Sequence, residues 1–231
     1  MGDIIQMELA EVIKILKQAA HPEYLAGMSR YGIKTEHAFG IKLPDIRAIG
    51  KKIGKNHTLA LELWATGYHE ARFLAAFIDN PKEVTEKQME AWVRDFDSWD
   101  ICDQTCGYLF DRTPFAFSKI VQWSSAGEEF VKRAAFALMA ALAVHAKKIP
   151  DNEFLIFLPI IEREAGDDRN FVKKAVNWAL RQIGKRSKFL HEEALKTAYR
   201  IKEQPSRSAK WIAADAIREL EDPGIIGRIT R

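Results

Sequence analysis

Three segments of this chain are variations on one helix: FVKRAAFALMA at 130–140, FVKKAVNWALR at 171–181 and AKWIAADAIREL at 209–220. Each sets bases ahead of alanine-rich apolar turns, and HEARFLAAFI at 69–78 is an earlier relative. Phe130 and Phe171 stand 41 residues apart, and Arg181 and Arg218 stand 37 apart. A recurring helix of this kind cannot bury its apolar face alone, so its copies must stack on one another.

The rest of the sequence reads as helix nearly throughout. Apolar residues recur three and four positions apart, without the alternation or Asn-Gly turns of hairpins. Breaks fall at stretches such as AAHPEY, FGIKLPD, DRTPF, SSAGEE and KEQPSRS. Thr113 ahead of Pro114 reads as a helix N-cap, and Glu128 and Glu129 suit the positive end of the next helix. A period near 40 with two helices per unit is the HEAT-like pattern. The expected fold is therefore all-α: a single superhelical solenoid of HEAT-like repeats over 1–231, with a concave binding surface and no internal domain boundary. Residues 222–231 are expected to form a loosely held tail.

A hydrophobic content of 47% is enough for a core of this kind. No apolar run is long, and acids and lysines interrupt the start of the chain, which argues against a membrane span or a signal peptide, so we expect a cytoplasmic protein, nucleoid-associated if prokaryotic. The two cysteines, Cys102 and Cys106, are four apart on an expected helix, where bridging geometry is poor, and they read as small buried hydrophobes. Six scattered histidines show no ligand spacing, and no metal or cofactor is expected. Net charge is only +3, but residues 169 to 218 hold 13 Lys/Arg against 4 Asp/Glu. Such a bias points to a polyanionic partner, unless it is a set of solvated helix faces.

The stretch RDFDSWDICDQTCGYLF, residues 94 to 110, gathers the most chemistry. Asp97 reads as an N-cap and Asp100 as its capping-box partner. Asp103 has no such explanation. Helical spacing sets it on the stripe of Trp99, Cys106 and Phe110, where lost hydration must be offset by hydrogen bonds, a cation or a function. In FVKKAVNWALRQIGK the same spacing sets Trp178 beside Lys174, Arg181 and Lys185 and away from the apolar stripe. That is a device for nucleic acid, or a tryptophan covered by lysine stems against the next repeat. Arg133 lies in a helix that is apolar nearly all round, so its guanidinium needs an anion: a protein carboxylate, Asp103 among the candidates, or a bound phosphate. Walker, G-x-S-x-G and HExxH signatures are absent.

Taken together, Trp99 with Asp103, Arg133 in VKRAA and Trp178 in KKAVNWALR resemble the AlkD-like DNA alkylation repair enzymes, the HEAT-like-repeat alkylpurine DNA glycosylases. The N-terminal elements M-x-R-Y and FGI-x-x-P-x-x-R extend the likeness and supply Tyr31, Lys42, Pro44 and Arg47. The resemblance implies hydrolysis of the N-glycosidic bond of positively charged 3- or 7-alkylpurines in double-stranded DNA, with the lesion left stacked. It implies that Asp103 stabilises the oxocarbenium-like sugar and positions water. Trp99 and Trp178 would hold the deoxyribose and flanking backbone, Arg133 a phosphate, and Tyr31 would line the same cleft. Lys42, Arg47, Lys174, Arg181 and Lys185 would bind the DNA backbone. The expected protein is a monomer with no obligate protein partner.

One departure from the family's pattern stands out. Asp97 and Ser98 precede Trp99 where well-characterised members carry a second tryptophan, and the WDxCDxxC form marks another branch. The alternatives are a DNA-binding paralogue that recognises bent or branched DNA without excision, and a helical-repeat scaffold for protein partners.

Overall fold

The computed structural model describes residues 7–229; residues 1–6 and the last two residues of the expected tail lie outside them. Among the described residues all regular structure is helical, in two compact units that divide between Thr113 and Pro114. The first holds α1 (Leu9–Gln18), α2 (Leu25–Arg30), α3 (Leu43–Ile53), α4 (His57–Ala65), α5 (His69–Ile78), α6 (Glu86–Arg94) and α7 (Trp99–Tyr108). The second holds α8 (Ala116–Trp123), α9 (Glu129–His145), α10 (Phe157–Glu164), α11 (Asn170–Gly184), α12 (Lys188–Lys202), α13 (Arg207–Leu220) and α14 (Pro223–Ile226). No helix among the described residues is long and apolar enough to cross a membrane.

In the first unit α5 is the central helix, packed against α3, α4 and α7. It buries Ala71, Leu74, Ala75 and Ile78, the inner face that the spacing of HEARFLAAFI foretells. Its neighbour α7 runs parallel to it: His69 meets Asp100 near the start of both helices, and the Phe77 and Tyr108 rings meet at their ends, 4.5 Å between centroids. Beside them Trp64 and Trp92, from α4 and α6, stack face to face 3.9 Å apart, and the Trp64 indole N–H donates to Asp95. Partners here are separated by 31 residues in sequence, so the structural step is shorter than the expected 40.

The second unit has the longer step. Arg133 reaches the Phe171 carbonyl 38 residues on, and Asn177 reaches Asp215 across the same separation. Helix α9 is buried from Val131 through Ala143 apart from half-covered Lys132 at its start, sandwiched between α8 and α11 as its all-round apolar pattern predicts. Its C-terminal carbonyls have a dedicated partner. Buried Arg186 donates to the carbonyls of Ala143, Ala146 and Ile149, pairs with Asp151 and lies over the Phe154 ring. This basic residue of the charged segment therefore serves the fold, by satisfying acceptors that a helix end leaves open.

Two local expectations need correction. Thr113 is not an N-cap, because a turn at Pro114 and Phe115 intervenes and α8 starts only at Ala116. The Thr113 hydroxyl instead donates back to the Phe110 carbonyl and to the Met89 sulfur. Asp97 does not cap α7 either: the chain enters extended at Ser98, which occupies the N-cap position. Glu129 does stand in the first turn of α9, directly after Glu128 at its N-cap. Of the segment expected to be a loose tail, Asp222 caps the single turn of α14, and Ile229 is buried.

Candidate functional site

Helix α7 positions Trp99 and Asp103 one turn apart on the same flank. Its inner face is filled by Ile101, Cys102, Thr105 and Cys106, all buried, and both cysteines are free thiols. Burial pushes the Cys106 thiol well above its ordinary value, helped by a hydrogen bond with Cys102 and by the negative charge of Asp103 and Asp111. The thiol therefore stays protonated and cannot act as a nucleophile. The effect also places the half-buried Asp103 carboxylate within electrostatic reach of that sulfur.

Asp100 faces another way. Its Oδ2 lies 3.0 Å from Nε2 of buried His69, and its Oδ1 accepts the N–H of Ile101. Burial raises its pKa, but the hydrogen bond and charge of His69 outweigh that and hold the carboxyl below its ordinary value. Asp100 is thus a link between the starts of α5 and α7. Asp97, half exposed, lies 3.9 Å from Arg72. A polar cavity of about 360 Å³ opens beside them, lined by Lys34, His37, His69, Arg72 and Asp97.

Trp99 is fixed from the N-terminal side of the chain. Its indole N–H donates at 3.0 Å to the backbone carbonyl of Tyr31, a residue that is 72% exposed. The loop after Tyr31 is held by a residue that spacing alone did not single out. The buried carboxylate of Glu70 accepts the backbone N–H groups of Phe39, Gly40 and Ile41 at 2.8, 2.7 and 3.1 Å. Those three residues are the FGI that opens the FGI-x-x-P-x-x-R element. Gly40 has φ +78°, and a Cβ there would sit 2.3 Å from the His21 carbonyl oxygen. Lys42 follows as the N-cap of α3, its ammonium 4.5 Å from the Tyr24 ring centre. Arg47, one turn into α3, lies over the rings of Tyr108 and Phe77 beside Lys51 and Lys55.

In the second unit Arg133 is buried in α9, and its Nη1 donates to the Phe171 carbonyl at 2.6 Å. Trp178 is partly exposed on α11, one turn after exposed Lys174. The other two cations expected beside it have protein partners. Arg181 and Lys185 both bind Glu219 of α13, and Arg181 also lies near Asp215. Burial raises the Glu219 carboxyl's pKa, but Lys185 and Arg181 more than offset this and hold it below the usual range. Their acid partner lies one residue beyond the 169–218 segment. A count of charge along that segment therefore overstates what is open to solvent.

A family model described as "DNA alkylation repair enzyme" matches residues 12–220. A solved structure described as "A new family of proteins related to the HEAT-like repeat DNA glycosylases with affinity for branched DNA structures" superposes with a TM-score of 0.77. It covers 96% of both chains at 20% identity, a level at which the likeness speaks for the fold. The uncharacterized protein Lin0241 of Listeria innocua serovar 6a is 23% identical over 163 residues, spanning 69% of this chain and 70% of that protein.

Proposed function

The chain belongs to the DNA alkylation repair enzyme family, and from that premise we propose that it is a DNA glycosylase acting on purines that alkylation has made cationic. The observation that carries the reading is the pairing of Trp99 and Asp103 on one flank of α7, with the indole held by the Tyr31 carbonyl. A 3- or 7-alkylated purine is already a good leaving group, so the reaction needs little proton donation. What it needs is negative charge placed where the sugar becomes oxocarbenium-like, and a water held for attack. Asp103 supplies both. The face of Trp99 packs on the deoxyribose and favours the nearby cation, and Trp178 packs on flanking backbone. Arg133, buried and bonded to the Phe171 carbonyl, meets a phosphate only where that contact opens, while Tyr31 lines the cleft beside Trp99, and Lys42, Arg47 and Lys174 bind the DNA backbone. Arg181 and Lys185 add to that only where Glu219 releases them. The lesion stays stacked, so no pocket for a flipped base is required, unlike in base-flipping enzymes.

The test is release of 7-methylguanine or 3-methyladenine from methylated duplex DNA. Activity should fall at least a hundredfold in Asp103→Asn, while DNA binding persists. Wild-type protein that binds the duplex and releases neither base would overturn the catalytic part. A second reading is favoured by the affinity for branched DNA of the structure that this chain matches over 96% of its length. On that reading the protein binds bent or branched DNA in a salt-sensitive way and excises nothing.

A further inference from the structure

The uneven charge of the C-terminal third resolves, in the structure, into two kinds of cation. Arg181, Lys185, Arg186, Arg200 and Arg218 are spoken for by carboxylates. Lys173 and Lys174 on α11, with Arg207 and Lys210 on α13, have no ion pair among the described residues. All four fall within the first five residues of two helices, neither of which has an acid in its first turn. Cations at that end oppose the helix dipole, so they are not there to stabilise the helices.

Between them stands Trp211, 42% exposed, with the Lys173 ammonium 5.0 Å from its ring centre. An exposed indole alone is ordinary on a protein surface; an indole set among unpaired cations is what a nucleic-acid backbone and its bases can use. The neighbouring acids do not neutralise the patch. Asp167 is bound by Arg169 and Lys132, and Asp215 is held by Asn177 and Arg218, which leaves exposed Asp168 as the local negative charge. Lys174 lies one turn before Trp178, so the patch runs from that residue to the next repeat.

We infer that Trp211, with Lys173, Lys174, Arg207 and Lys210, is a second DNA-backbone contact, one repeat beyond Trp178. The cations meet successive phosphates, and the indole packs on the sugar or on a base exposed by bending or branching. The inference rests on the DNA reading of Trp178 and extends it. It assigns this surface to affinity and substrate shape, and leaves bond cleavage to Asp103.

The experiment compares wild type with the quadruple variant K173A/K174A/R207A/K210A, with Trp211→Ala and with Asp103→Asn. Binding to fluorescent duplex and three-way-junction DNA is followed by anisotropy from 50 to 300 mM salt. Circular dichroism melts check that each variant folds, and Lys196→Ala, on α12 and paired with Glu193, serves as a charge control. In the quadruple variant the slope of log K against log salt should fall by about 0.9 for each phosphate no longer neutralised. Trp211→Ala should weaken binding about tenfold, with the larger loss on the junction. Folded variants that bind both DNAs with wild-type affinity and slope would overturn the inference and leave the glycosylase reading untouched. Loss of excision in Asp103→Asn with binding intact separates the two sites. Wild-type protein that fails to bind either DNA would sink both.

Discussion

The carboxylate of Glu70 accepts the backbone N–H of Gly40 at 2.7 Å, in a buried site that ties the first residues of α5 to a loop 30 positions earlier. Phe39 and Ile41 donate to the same carboxylate. Replacing Glu70 with alanine strands three backbone donors, and each buried orphan costs about 1–3 kcal/mol. Partial hydration of the loop offsets some of this, so we expect a loss of about 3 kcal/mol. Urea unfolding followed by tryptophan fluorescence would measure it. Glu70→Gln should fall between the two, since one carbonyl oxygen can keep part of the clamp. An unchanged midpoint in Glu70→Ala would show that the clamp contributes nothing.

Gly40 itself should tolerate no side chain. Its φ of +78° is a region that L residues rarely adopt, and a Cβ would lie 2.3 Å from the His21 carbonyl oxygen. The His21 N–H is in turn bonded to the Phe39 carbonyl, so the backbone cannot easily yield. Gly40→Ala should destabilise by about 2–4 kcal/mol. The comparison is Gly54→Ala, where φ is +76° and nothing lies within 4 Å of the added carbon. That variant should cost only the conformational strain of its extended, positive-φ backbone (ψ −163°), about 1–3 kcal/mol. Thermal melts of the pair separate strain from collision, and equal losses would contradict the close approach.

These two residues also mark where sequence reading stops. Glu70 looks like an ordinary first-turn acid, favourable to the dipole, and nothing in HEARFLAAFI says that its partners lie 30 residues upstream. The repeated helices were legible because periodicity is a local property of the chain. The shorter step of the first unit was not, because only one of its helices shares the motif. Spacing was enough to set Trp99 and Asp103 on one flank, but it took the N-cap of α7 as Asp97, because cap preference is blind to where the backbone turns extended. Likewise no count along the chain could pair Arg181 with Glu219 across 38 residues.

Asp100 makes the first unit sensitive to acid. Its folded pKa lies below the reference value of 3.8, with burial opposed by the stronger effect of His69. A depressed carboxyl contributes stability that is present above the unfolded value and is lost as pH falls through the folded value. We therefore expect wild-type stability to fall as pH drops below about 4. Asp100→Asn should be less stable than wild type at neutral pH, and the gap should narrow as pH falls below the ordinary carboxyl value of about 4. Denaturant melts across that range give both slopes. A constant difference between the two proteins would mean that the His69–Asp100 pair is not the acid-labile element.

Glu219 sets how much of the α11 charge can reach a partner. It holds both Arg181 and Lys185, and all three groups are roughly a quarter exposed, so solvent screens the cluster and its worth is modest. Glu219→Gln should cost about 1 kcal/mol of stability. The same change frees Lys185 and leaves Arg181 only its 3.6 Å contact with Asp215, so a phosphate becomes the better partner for both. DNA affinity at low salt should rise, and the slope of log K against log salt should steepen by up to about 1.8, as two further phosphates are neutralised. Anisotropy titrations on one duplex at several salt concentrations would show this. A variant that is less stable but binds DNA no more tightly would place Arg181 and Lys185 wholly within the fold, and would leave Lys174 as the one cation of that helix face available to the backbone.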